Sequence, residues 1–336
     1  MRQRVGDPFN ELPRSRFRRR ITVLGCGVLF DSNQRGLLRL AEQAFAGLPA
    51  RRIVSSAPRL QVHLRLLAHD RPFPAGGPPR PVMTSGGGLL SASIDAANFA
   101  LLAPAAGVAL VSTSASMMRF PYLLRYELIE FAVLTLAARA RGLMPLHAAC
   151  IGARGRGVLL LGASGTGKST LAIQALEHGL DYLAEDAVFV DASLRADAVP
   201  AFLHARCDSR DAVVARIARH AAVIRRRSGV RKFEIDLRRS RARIARAPLA
   251  LAAVVVLSAR RGGRGRTLRE LSGTRMLRAL ERDQPYAAAT VEWRAFRRRL
   301  QALPAYELRR GAHPRDSALA IRALLETPPR VRPTRA

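Results

Sequence analysis

An α/β fold is what three features of this chain predict. An apolar strand, a glycine-rich loop and an amphipathic helix follow one another directly at 157–176, and a strand–helix–strand succession runs over 21–69. The composition is 49% hydrophobic and 24% charged at a mean hydropathy of +0.01, and 336 residues suffice for one large or two ordinary domains with real cores. That balance excludes intrinsic disorder. The long uncharged run Ala96–Met118 is broken by Pro104 and Gly107, so it reads as two buried strands about an APAAG turn rather than a membrane span.

Residues 1–19 are polar and Arg-rich and are expected to be loose. From Ile21, ITVLGCGVLF reads as a buried strand; the stretch from Gln34 to Phe45 has helical apolar spacing, and RLQVHLRLLAH alternates as a strand does. Arginines 18–20 ahead of an apolar stretch and Cys26 imitate a secretion signal, but the five residues between Arg20 and Cys26 fall short of the ~7–15 such a signal needs. The Pro/Gly-rich stretch 72–88 fits either a hairpin excursion or a flexible loop within a first α/β domain, 20–118. Pro121–Arg141 has helical spacing and stops at Gly142, so 119–142 is expected to bridge two domains.

The second domain, 143–328, opens with strands at 146–153 and 157–162, then the glycine loop and a helix to about Leu176. LDYLAED and AVFVD follow; AFLHAR, KFEIDL and LALAAVVVL read as further strands, and 207–220, 272–282 and 313–326 as helices. Residues 329–336 form a loose tail.

Lys and Arg number 56 against 25 Asp and Glu, a net charge of +31, and all but Lys168 and Lys232 are arginines. The excess is +9 over 1–200 and +22 over 201–336, whereas 151–200 carries four bases and six acids. A basic C-terminal third suits an acidic partner. Nucleic acid is the poorer match, because 5% aromatics and a single tryptophan provide no stacking platform. Cys26, Cys150 and Cys207 contain no CxxC pair, so neither a disulfide framework nor a zinc site is indicated and a cytoplasmic setting is expected. No membrane partner is expected, and a homo-oligomer stays open.

The run Gly162, Ala163, Ser164, Gly165, Thr166, Gly167, Lys168, Ser169 satisfies G-x-x-x-x-G-K-[ST], with Thr170 next in the helix. Glycines let the backbone wrap with N–H groups pointing inward, and the helix N-terminus adds positive potential, so a nucleotide polyphosphate is the anion that fits. Lys168 would bridge the β- and γ-phosphates and the Ser169 hydroxyl would hold Mg²⁺, which makes ATP and Mg²⁺ the expected cofactors. Lys232, on a strand edge, reads as solvated surface. Glu185 and Asp186 close a short apolar stretch, where a parallel-sheet strand would deliver them toward the phosphates. Phosphoryl transfer needs one carboxylate for the metal and, for a hydroxyl acceptor, another to take its proton. By themselves the two also read as a solvated acidic turn, and His147 as a packed strand histidine.

The run from His147 to Asp191 resembles the kinase domain of the HPr kinase/phosphorylase family. The resemblance is carried by a histidine on the strand before the loop (His147), GASGTGKS at 162–169, a helix ending in Gly179, and the acidic pair Glu185-Asp186, at the family's spacings. It implies a P-loop kinase core of the HPr kinase/PEP carboxykinase-like type. It further implies Glu185 as the base for an acceptor serine, Asp186 as its partner toward the histidine and metal, and His147 tuning the carboxylates. The family base is usually Asp, and here it is Glu185. An RGLGI-like second signature has no match after Asp191, and the first 120 residues have no match to the family's first domain. A kinase acting on a serine or other hydroxyl of a protein or peptide, without phosphorylase activity, is therefore the leading expectation. The alternatives are a nucleic-acid-associated P-loop ATPase and a nucleotide-binding regulator without catalysis.

Overall fold

The computed structural model describes residues 15–327, apart from 50–58, 69, 164, 210, 241, 263–266, 283, 285–286, 288–289 and 312. Sheets and helices are mixed, and the chain forms two compact units that divide between Arg141 and Gly142, except that residues 47–49 group with the second.

The first unit is a seven-stranded sheet in the order β1-β2-β3-β7-β6-β5-β4. Strands β1 (Phe17–Val23) and β2 (Cys26–Ser32) form an antiparallel hairpin; helix α1 (Arg35–Phe45) follows, and β3 (Leu60–Leu66) runs parallel to β2. Hairpin β4 (Val82–Gly86) and β5 (Leu89–Ser93) ends the Pro/Gly-rich stretch, while β6 (Phe99–Ala103) and β7 (Val108–Thr113) are the two strands about the APAAG turn. Two expectations are corrected here. The Arg-rich N-terminus is not loose through residue 19, since β1 begins at Phe17. The apolar run from Ile21 is not one strand, because Leu24 and Gly25 both take positive φ (47° and 76°) and reverse the chain as a type I′ turn does.

A helical stretch follows: α2 (Pro121–Leu123), a π-helical segment Leu124–Glu130, and α3 (Phe131–Ala140). Expected to bridge two domains, it packs instead within the first unit, against α1, β6 and β7. Its apolar residues Leu128, Ile129, Val133 and Leu136 are all buried, which is what places it there. Arg125 is buried as well, with its guanidinium 3.1 Å from Glu130 and over the Tyr122 ring.

In the second unit β8 (Met144–Leu146), β9 (Ala149–Ala153), β10 (Arg156–Leu161), β11 (Asp181–Ala184), β12 (Val188–Val190) and β13 (Arg195–Asp197) join β17 (Leu249–Arg261) in the order β11-β9-β10-β17-β13-β12-β8. Strand β19 (Ala305–Arg310) adds to β17 and β18 (Leu268–Glu270) to β19, giving nine strands. A separate antiparallel sheet holds β14 (Phe202–Arg206), β16 (Arg231–Asp236) and β15 (Ala222–Arg225). Helices α4 (Lys168–Glu177), α5 (Ala212–Ile217), α6 (Gly273–Arg282), α7 (Trp293–Gln301) and α8 (Pro314–Glu326) complete the unit. Helix α5 occupies only part of the expected 207–220.

Strand β10 is a continuous apolar run because both its faces are covered. Leu159 and Leu161 pack with Met276, Leu280, Trp293 and Phe296 of α6 and α7, while Val158 and Leu160 pack with Leu171 and Ile173 of α4 and Ile321 of α8. β10, β17 and β19 are parallel, whereas β9 is antiparallel to β10 and β11 antiparallel to β9.

One buried charge in the first unit gives a pH prediction. For Asp31, burial alone would raise the pKa, but hydrogen bonds from Arg65 and Arg18 and the Arg65 charge outweigh it and hold the carboxyl at about 2. Since this lies below the ordinary 3.8, its stabilisation is complete above that value and is lost as pH falls through the folded value. Urea denaturation between about pH 4 and pH 2 is expected to show a shallower loss of stability in Asp31→Asn than in the parent chain.

Candidate active site

Register alone brings three distant segments to one end of the large sheet. Ala149 of β9 lies beside Leu160 of β10, and Cys150 beside Ala184 of β11. The chain just before β9, just after β10 and just after β11 therefore emerges at a common edge. Those positions carry His147, the glycine loop and Glu185-Asp186. Two details differ from the sequence reading. His147 lies at a bend between β8 and β9 rather than on a strand, and the acidic pair is delivered by an antiparallel edge strand rather than a parallel one.

Loop and helix follow from their residues. Gly162 has φ 155°, and an added Cβ would lie 2.6 Å from Thr166 Oγ1 and 3.3 Å from Leu257 Cβ, so no side chain fits where the loop leaves β10. Thr166 Oγ1 donates to the Ala163 carbonyl at 2.8 Å, closing the turn. Gly165 and Gly167 also have positive φ, and Ser164 lies outside the described residues. Helix α4 begins at Lys168, whose Nζ donates to the Gly162 carbonyl at 2.5 Å; Ser169 is half-buried and Thr170 exposed. The first-turn N–H groups of a helix have no intrahelical acceptor and face whatever lies in the loop.

Each acid has an imidazole of its own. His147 Nδ1 is 3.0 Å from Asp186 Oδ1, and Arg226 is 3.8 Å from Asp186 Oδ2. Glu185 is buried and meets a different histidine: its Oε1 accepts from the His204 backbone N–H at 2.6 Å and lies 2.7 Å from His204 Nδ1. His204 Nε2 is in turn 3.3 Å from Glu234 Oε1, directly across the β14–β16 pair. Glu185 Oε2 is buried with no hydrogen-bond partner among the described residues. His204, Glu234 and Arg226 were not anticipated from the sequence. The only signal for His204 and Glu234 is that AFLHAR and KFEIDL alternate as strands, and a lone sequence does not show that the two pair.

These residues suit ATP and Mg²⁺. The helix start at Lys168 offers first-turn N–H groups and a lysine, and Glu185 Oε2 is a buried acceptor that lacks a donor among the described residues. No group of three His, Cys, Asp or Glu side chains forms a metal cage among the described residues. Magnesium arriving with a polyphosphate needs only one or two protein oxygens, for which Ser169 and Asp186 are the candidates.

No known family profile matches this chain, and no curated protein does. Among solved structures, 49 chains match. One is the HPr(Ser) kinase/phosphatase from Coxiella burnetii, 11% identical with a TM-score of 0.27 over 54% of this chain and 93% of that one. A likeness of that size carries no argument about chemistry, which rests on the site itself. No helix among the described residues is long and apolar enough to cross a membrane.

Two side chains outside the acidic cluster hold the edge in place. Buried Gln284 accepts from the His147 N–H at 2.8 Å and donates to the His147 carbonyl at 2.9 Å, standing in for a neighbouring strand where β8 gives way to β9. Tyr182, on β11, donates its buried hydroxyl to the Phe202 carbonyl at 3.0 Å, tying β11 to the start of β14. Burial first, and then the charges of Glu185 and Asp186, raise its pKa well above the ordinary value, so the phenol remains a donor. Removing the Gln284 clamp takes away the partners of the part-buried His147 N–H and carbonyl. Gln284→Ala is expected to cost about 1–3 kcal/mol in urea denaturation and to speed hydrogen exchange at the His147 amide at least about tenfold.

Proposed function

We propose that this chain is an ATP-dependent kinase that transfers the γ-phosphoryl group to a serine, or another hydroxyl, of a protein or peptide. The observation that carries the reading is the meeting, at one sheet edge, of a glycine loop opening into α4 and a buried glutamate with one oxygen left without a partner. In this reading the core is a P-loop kinase core of the HPr kinase/PEP carboxykinase-like type. The loop residues 162–167 and the first turn of α4, through Thr170, receive the phosphates; Lys168 swings from the Gly162 carbonyl to the β- and γ-phosphate oxygens. Ser169 and Asp186 would hold Mg²⁺, which would neutralise phosphate charge. Glu185 Oε2 takes the acceptor hydroxyl's proton as the hydroxyl oxygen bonds to the γ-phosphorus. The bond to the bridging oxygen breaks, and ADP leaves with that electron pair. His147 orients Asp186. The absence of an RGLGI-like segment keeps phosphorolysis outside the proposal.

The acceptor is proposed to be acidic around its hydroxyl. Arg275, Arg278 and Arg282 of α6 and Arg294, Arg298 and Arg299 of α7 are all exposed, and the loop joining these helices carries the Gln284 clamp on His147. A cytoplasmic kinase reaching a soluble acceptor fits this arrangement.

Labelled ATP supplied to a lysate, with mapping of the new phosphosite, tests the reading. Lys168→Ala is expected to weaken ATP binding at least about tenfold. Glu185→Gln is expected to keep ATP affinity within about twofold while losing transfer by about 10²–10⁴. Unchanged transfer by Glu185→Gln would sink the base assignment, and tight ATP binding without transfer by the parent chain would leave a nucleotide-binding regulator.

A further inference from the structure

We propose that His204 is the positioning residue of this site: held between Glu185 and Glu234 as an imidazolium, it fixes Glu185 Oε1 and so reserves Glu185 Oε2 for the acceptor hydroxyl. The assignment of a role to Oε2 rests on the kinase reading above, while the clamp itself rests on geometry. His204, Glu185 and Glu234 are each less than a tenth exposed. One ring nitrogen lies 2.7 Å from a Glu185 oxygen and the other 3.3 Å from a Glu234 oxygen. Carboxylate oxygens only accept, and a neutral imidazole has a single N–H, so a neutral ring would set its lone pair against one of the two carboxylates. With both glutamates ionised, both contacts are hydrogen bonds when both nitrogens carry protons. Burial opposes that charge, but the hydrogen bonds to Glu185 and Glu234 outweigh it and raise the His204 pKa, against a smaller lowering by Arg226.

The clamp is one-sided, which separates it from an ordinary buried ion pair. Both the His204 ring and its backbone N–H converge on Oε1 of Glu185. Nothing among the described residues reaches Oε2, although it is buried. The large majority of buried side-chain polar atoms are hydrogen-bonded, so an unbonded carboxylate oxygen here calls for an account. Here one oxygen is anchored twice and the other is left unbonded, an arrangement that holds the carboxylate against rotation. Glu234 holds the far side of the ring and sets its plane from the facing strand.

Two measurements on the full chain test this. Of its seven histidines, His204 is assigned in ¹⁵N-histidine spectra by the signals missing from His204→Asn. At pH 7 both its ring nitrogens are expected to be protonated, and Glu234→Gln is expected to shift them. A spectrum of a neutral tautomer would overturn the clamp. The second measurement compares two replacements. Asn places an amide N–H near the position of Nδ1, whereas Gln reaches toward that of Nε2. His204→Asn is therefore expected to keep kcat within about tenfold, and His204→Gln to lose at least about 100-fold, both with KM for ATP within about twofold. Equal losses in the two variants at unchanged KM would overturn the positioning role, because a merely structural histidine has no preference between its nitrogens. If the parent chain transfers phosphate to no acceptor, the kinase reading fails while the nitrogen spectrum still decides the clamp.

Discussion

The antiparallel placement of β9 between β10 and β11 is the constraint on which the site depends. Side chains alternate along a strand, so a slip of one residue in either pairing would turn Cys150 and Ile151 to the wrong faces and move His147 or Glu185 away from the loop. The β9–β10 register is pinned by a two-residue turn, Arg154-Gly155, with both residues at positive φ. It is pinned again by close packing: a Cβ at Gly152 would collide with the Arg156 carbonyl and lie 2.6 Å from Leu249 Cδ1. On its outer side β11 is held by residues 243–245: the Tyr182 N–H donates to the Arg243 carbonyl, and the Tyr182 carbonyl accepts from the Ala245 N–H.

Electrostatics at this edge run against the character of the whole chain. In a protein of net charge +31, three carboxylates are drawn together and met by two imidazoles and one guanidinium. Buried charges are tolerated where partners of opposite sign and hydrogen bonds meet them. The two histidines are not equivalent. His204 is enclosed and bonded on both nitrogens, whereas the His147 ring is nearly half-exposed.

Local pattern reveals some of this from sequence and fails on the rest for identifiable reasons. The helix at 35–45, the strands at 60–66 and 156–161 and the helix starting at Lys168 are each marked by periodicity and flanking signals within a dozen residues. The hairpin at Leu24-Gly25 is hidden because leucine is a poor turn residue, and this one is buried; only Gly25 marks it. The helix at 121–140 looks like a connector by its position between two patterned regions, and burial of its apolar face within the first unit is a tertiary fact. The chemistry divides similarly. The glycine loop and the acidic pair are contiguous in sequence and legible, but His204, Glu234, Arg226 and Gln284 reach the site through cross-strand pairing and loop return. Neither has a contiguous signature.

The supports of this edge have a consequence for how the site can change over evolutionary time. Gln284 binds the backbone of residue 147, Tyr182 the carbonyl of residue 202, and Glu185 the N–H of residue 204. None of these bonds depends on the side chain at the position it holds. Substitution at 147 or 202 can therefore alter what is presented to a ligand while the backbone bonds that hold those positions stay as before. The scaffold is separable from its chemistry, so related chains can keep this edge and carry different residues on it.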